Sequence, residues 1–143
     1  MKKITVCVAD LAFGKLFDRQ GKYCPLGRLG KELGISNDVL IKLHSLSTIP
    51  MEYVPKASQD LVKKIIARLH ENIVLPEGFD EEDNREEDIV EAEEIFGAEW
   101  PLEKAIIHVT DGSISKDKKA NLLNYLFKDL GKIIGCEFEF VEY

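Results

Sequence analysis

The chain has 143 residues, 45 % of them apolar and 31 % charged, a size and balance that place it among folded globular proteins and outside the disordered class. Its formal charge of −7 is concentrated: residues 77–103 carry thirteen Asp or Glu against the single base Arg85, a net of −12, whereas residues 1–75 stand at +5 and residues 104–143 are neutral. Three cysteines without a CxxC pair argue against a disulfide framework and for a reducing compartment, the cytoplasm, and no window nears the roughly 18 consecutive apolar residues of a spanning helix.

Lys2 and Lys3 ahead of an apolar run imitate an export signal, but Asp10 breaks the run and Lys15 closes it, so none is expected. Ile4, Cys7, Val8, Leu11, Ala12 and Leu16 recur at three- and four-residue spacing, which predicts an N-terminal helix. The β-branched cluster Ile4, Thr5, Val6 and Val8 keeps a strand open as the alternative. Asp18 to Lys22 reads as an exposed turn in which Gly21 takes a positive φ.

Leu26 to Leu46 is the most patterned stretch. Counted from Leu26, apolar Leu29 and Leu33 take the fourth and eighth places, Gly30 the fifth and Gly34 the ninth, and Ile35, Leu40 and Leu43 the tenth, fifteenth and eighteenth. In these twenty or so residues the chain resembles the helix-turn-helix motif, in which a small fifth residue lets two helices cross closely and a glycine makes the turn. The resemblance implies a second helix, Asn37 to Ser45, in the DNA major groove, with Ser36, Asn37, Asp38, Ile41 and Lys42 available to read bases. Asn37 suits adenine and Lys42 suits guanine or phosphate, but there is no Arg and Asp38 repels the backbone. The bland alternative is a helical hairpin packed for its own sake.

Pro50 and Pro55 bracket a short connector, Met51 to Val54, expected to be extended. Ser58 is placed to cap a helix with Asp60 in its first turn and a buried stripe of Leu61, Val62, Ile65, Ile66, Leu69 and Ile73. Lys63, Lys64 and Arg68 fall on its other face, a solvated surface or, with Asn37 and Lys42, a nucleic-acid-binding one. Within the acidic run a helix is expected from about Asn84 to Phe96, held by Ile89, Val90, Ile95 and Phe96, since Glu87 and Glu91 repel one another at helical spacing. Ala105 to Thr110 is a strand candidate ended by Asp111-Gly112. Ser115 caps a following helix that Gly131 stops, and Phe138 and Phe140 alternate with Glu137 and Glu139 as a half-exposed strand. If its two strands pair directly, this strand-helix-strand unit should be parallel.

The chemistry on offer is sparse. Cys24 before Pro25 stands at a helix N-terminus beside Lys22, a setting that activates a thiol, but no base is indicated and a packed or capping thiol is the stronger expectation. His44, His70 and His108 lie on different elements, and neither HExxH nor HxxxH occurs; no metal and no cofactor is expected. Asp80 to Asn84 lacks the alternating ligands of a calcium loop, and Gly27, Gly30 and Gly34 are spaced for helix packing and not as a phosphate loop. His108 and Asp111 could close a strand as catalytic groups, a weaker reading than the turn they form.

The expected architecture is α+β in one domain, residues 1–143: a basic, mainly helical part (1–75) with the helix-turn-helix-like hairpin, an acidic arm (77–103) and a strand-helix-strand part (104–143). The function expected first is a non-enzymatic protein-binding module or inhibitor, of the immunity or anti-defence type. Glu86, Glu87, Asp88, Glu91, Glu93 and Glu94 would dock on a basic partner, for example a nuclease or other nucleic-acid-binding protein, with no role for a membrane. A helix-turn-helix regulator using Asn37, Lys42, Lys63, Lys64 and Arg68 is the alternative, and an enzyme comes third.

Overall fold

A computed structural model describes residues 2–73, 100–112 and 115–142. The α+β class holds. The described elements are helices α1 (Pro25–Glu32), α2 (Asn37–Leu40), α3 (Gln59–Leu69), α4 (Leu102–Asp111), α5 (Lys116–Leu126) and α6 (Lys128–Ile134), and a parallel sheet of two strands, β1 (Lys2–Cys7) and β2 (Cys136–Val141), on which α5 and α6 pack. The N-terminus is therefore a strand and not the helix its spacing suggested. Ile4 pairs with Phe138 and Val6 with Phe140 in register, and Ile4, Phe138 and Phe140 are buried on the inner face. Outside, the Lys3 ammonium meets the Glu139 carboxylate, whose hydrogen bond and charge raise the lysine's pKa. The β-branched preference wins at the N-terminus because a partner strand is supplied from the far end of the chain.

Four further expectations change. Residues 105–110 are helical, not extended, so no strand-helix-strand unit forms, and β2 pairs with β1 instead. Leu102, Ala105, Ile106 and Val109 are all buried at helical spacing, a stripe that outweighs the local β propensity. The helix does not stop at Gly131, which lies buried within α6. A Cβ there would sit 2.5 Å from the Cys136 carbonyl oxygen of β2, so the glycine permits the approach of strand to helix, and Gly135 at φ 72° ends α6. Met51–Tyr53 forms a 3-10 turn where an extended connector was expected. Finally, the second helix of the hairpin is one turn, Asn37–Leu40, and not Asn37 to Ser45.

The packing of the hairpin matches its spacing. Gly30 lies under Leu40, whose Cδ2 would be 2.9 Å from an added Cβ, and Gly34 takes φ 86° at the turn. Ser58 and Ser115 stand at the N-caps of α3 and α5 without a side-chain capping bond. Val62, Ile65 and Leu69 of α3 join Leu29, Leu40, Leu46, Leu102 and Phe127 in one buried apolar cluster, so both ends of the chain share a core. The helix expected over residues 84–96, and with it Glu86, Glu87, Asp88, Glu91, Glu93 and Glu94, lies outside the described residues. The flanks of residues 74–99 are joined: the Ile73 N–H donates to the Trp100 carbonyl (3.1 Å) and the Leu102 N–H to that of Glu71 (2.8 Å). No helix among the described residues is long and apolar enough to cross a membrane.

Candidate functional site

The loop between β1 and α1 carries the least expected side chain. Phe13 is 62 % exposed, although the backbone around it is fastened at several points. The Ala12 N–H donates to the Tyr23 carbonyl (3.0 Å) and the Cys24 N–H to that of Leu16 (3.1 Å), while Gly21 at φ 83° closes the Asp18–Lys22 turn as its sequence predicted. At the tip, Gly14 at φ 71° donates its N–H to Asp111 Oδ1 of α4 (3.3 Å) and accepts at its carbonyl from His44 Nδ1 (3.3 Å). Because a carbonyl only accepts, the Nδ1 of His44 carries the proton.

Beneath Phe13, the Lys119 ammonium lies 5.5 Å from the ring centroid and donates to the carbonyls of Thr110 (2.9 Å) and Gly112 (3.2 Å). It thus caps the C-terminus of α4, where the helix dipole favours a cation. Burial lowers its pKa, opposed by the charge of Asp111. The first turn of α4 is tied down as well: Glu103 accepts from Ser45 Oγ (2.9 Å), Ser47 Oγ (2.9 Å) and the Ser47 N–H (3.3 Å). One carboxylate of the acidic run is therefore internal to the fold.

Cys24, His44 and Asp111, scattered in the sequence, line one cavity of about 60 Å³ under this loop. Shared space is not a catalytic arrangement. The Cys24 Sγ accepts from the Gly27 N–H (3.3 Å) as the N-cap of α1, and burial pushes its pKa up from 9.0 to about 11, a protonated thiol at neutral pH. His44 and Asp111 both hold Gly14. The packed, capping thiol expected from the sequence is what the fold contains, and all three cysteines are free. Since burial penalises the thiolate only in the folded chain, this group's contribution to stability is full below pH 9 and is lost as pH rises towards 11. The loss is about 1.4 kcal/mol per pH unit in that window. Denaturant unfolding at stepped pH should show this slope in the wild type and not in Cys24→Ser; equal slopes would remove the thiol from the account.

Along the outer face of α4 runs an adjoining groove of about 430 Å³, lined by Trp100, Lys104, Ile107, His108, Asp111 and Gly112. Lys104 lies over the Trp100 ring at 4.6 Å and His108 meets it edge-on at 4.8 Å. Ile107 is 38 % exposed and borders both groove and cavity. Reading Ala105 to Thr110 as a strand hid this face, because only a helix brings Lys104, Ile107, His108 and Asp111 to one side. Phe13 carried no local signal at all.

Two of the nucleic-acid-binding candidates are engaged within the chain. Asn37 Oδ1 accepts from Tyr23 Oη (2.7 Å), and Arg68 bonds Glu71 and Asp129 at 3.0 Å each. Lys42, Lys63 and Lys64 are exposed. Among the described residues no group of three or more His, Cys, Asp or Glu side chains is arranged to hold a metal ion. Comparisons with protein families, curated proteins and solved structures find no match to this chain.

Proposed function

We propose that the chain is a non-enzymatic protein-binding module, an inhibitor of the immunity or anti-defence type, whose acidic run docks on a basic protein partner such as a nuclease or other nucleic-acid-binding protein. The observation that carries this is the concentration of a net −12 within residues 77–103 of a chain whose total is −7. Such a block attracts a cationic cleft and accelerates encounter, leaving specificity to apolar contacts. The joined flanks at Ile73 and Trp100 support it, since they root the run at one place on a packed body. The protonated Cys24 and the occupied His44 and Asp111 lend nothing to an enzyme. Free thiols suit the cytoplasm. The helix-turn-helix alternative draws less support, because its second helix is a single turn and Asn37 and Arg68 are engaged within the chain.

Affinity capture at low and high salt, followed by kinetics on the captured partner, tests the proposal. Neutralising Glu87, Glu91 and Glu94 together to Gln should slow association much more than it speeds dissociation. It should also flatten the salt dependence, since exposed charges act over a Debye length of about 8 Å at physiological ionic strength. An unchanged rate and salt slope would leave the run a solubilising segment. A sequence-selective DNA complex weakened by Asn37→Ala and Lys42→Ala would favour the regulator.

A further inference from the structure

We infer that the outer edge of β1 is a self-association surface, independent of the acidic run, along which a second copy of this chain adds its own β1 antiparallel about a two-fold axis. One side chain and the register of the sheet show which main-chain groups face outward. Asn124 bonds both the N–H and the C=O of Phe140, so Phe140 turns away from β1. Main-chain groups alternate sides along a strand, and Glu137, Glu139 and Val141 therefore serve the ladder to β1. With Ile4 paired to Phe138 and Val6 to Phe140, it is then Ile4 and Val6 that bond to β2, while Lys3, Thr5 and Cys7 turn their main chain to the other side. Among the described residues nothing pairs with the N–H and C=O of Lys3 and Thr5 or with the N–H of Cys7, and Lys3 and Thr5 are exposed. The two edges of the sheet are unlike. On β2, Asn124 occupies Phe140 and the Cys136 carbonyl abuts Gly131 of α6, so that edge is blocked near both ends. The edge of β1 is open.

Self-complementarity selects the occupant. A register centred on Thr5 engages all three outward residues, because Thr5 then faces Thr5 of the second copy and Lys3 faces its Cys7. The same register sets Ile4 opposite Val6 on the inner face, a β-branched pair that extends the apolar side of the sheet. No like charges stand opposite one another, whereas sliding the strands until Lys3 meets Lys3 opposes two ammonium groups and leaves Cys7 without a partner. Lysines on an edge often repel an incoming strand. Both lysines here are compensated inside the chain, Lys2 by Glu32 (2.9 Å) and Lys3 by Glu139. Pairing turns two marginal two-stranded sheets into one of four strands, and the blocked β2 edges end it there as a closed dimer instead of a fibre.

Sedimentation equilibrium on the full-length protein should give twice the 16.2 kDa of one chain, falling towards one chain on dilution. Thr5→Pro removes an outward N–H and no bond of the β1–β2 ladder, a position at which an edge strand tolerates proline. It should weaken self-association by at least about tenfold with far-ultraviolet circular dichroism unchanged. Lys3→Cys supplies a second test that needs no proline. Within one chain residues 3 and 7 stand roughly 13 Å apart along β1, beyond the roughly 7 Å between Cα atoms that a disulfide spans. Across the two-fold axis they are directly opposed. Mild oxidation of Lys3→Cys should therefore give a disulfide-linked dimer through Cys7 of the second copy. The wild type and the double variant Lys3→Cys, Cys7→Ser should give none. A single-chain mass at every concentration, a dimer indifferent to Thr5→Pro, or cross-linking that persists without Cys7 would overturn the assignment.

Discussion

Gly27→Ala should destabilise the protein by more than about 3 kcal/mol, although alanine is intrinsically the better helix former by about 1 kcal/mol. Gly27 lies in the first turn of α1, and a Cβ built there stands 1.7 Å from the carbonyl oxygen of Leu16 and 2.6 Å from its carbonyl carbon. Both atoms are backbone, so no rotamer change relieves the overlap. That same carbonyl accepts the Cys24 N–H, which ties the loop bearing Phe13 to the start of α1. Separating α1 from Leu16 therefore breaks a buried hydrogen bond as well as the packing. Gly21→Ala is the matched control. Its φ of 83° imposes left-handed strain of roughly 1 to 2 kcal/mol, with nothing within 4 Å to strike. Denaturant unfolding should rank Gly27→Ala well below Gly21→Ala. Equal stabilities would mean that the loop does not approach the helix in this way.

What was legible in the sequence follows the range of the interactions. Leu29, Gly30, Leu33, Ile35 and Leu40 pack as their spacing required, because a helical hairpin buries neighbours along the chain, whereas Gly27, read as a helix-packing glycine, meets the loop backbone at Leu16. The Glu137 to Val141 alternation likewise needs only its own residues. Errors arose where a distant partner decides. β1 becomes a strand because β2, from the far end of the chain, lies beside it. At residues 105–110 a run of β-branched side chains masked a buried stripe whose first member, Leu102, lies before the run. The candidate site was the least legible part. Gly14 meets His44 and Asp111 across separations of 30 and 97 residues, and no local pattern marks a phenylalanine that stays outside.

Phe127 packs against both inward-facing phenylalanines of β2, which makes Phe127→Ala the other severe substitution. Phe127 is fully buried at the junction of α5 and α6, with ring centroids 5.2 Å from Phe138 and 5.0 Å from Phe140, both edge-on. Truncating it removes the transfer energy of the ring and both aromatic contacts and leaves a cavity, roughly 3 to 5 kcal/mol in all. The consequence reaches further than the void, because two paired strands are not stable alone in water and β2 presents Phe138 and Phe140 to Phe127. Asn124 holds the free edge of β2, donating from Nδ2 to the Phe140 carbonyl (3.1 Å) and accepting its N–H at Oδ1 (2.7 Å), but it cannot replace the packing. In Phe127→Ala the amides of β2 should therefore lose protection from hydrogen exchange before those of α1. Phe127→Leu keeps most of the volume and should cost less, about 1 to 2 kcal/mol. The exposed neighbour Lys128→Ala should stay within about 0.5 kcal/mol of wild type. If Phe127→Ala leaves the β2 amides as protected as in the wild type, the sheet is held by something other than this aromatic cluster.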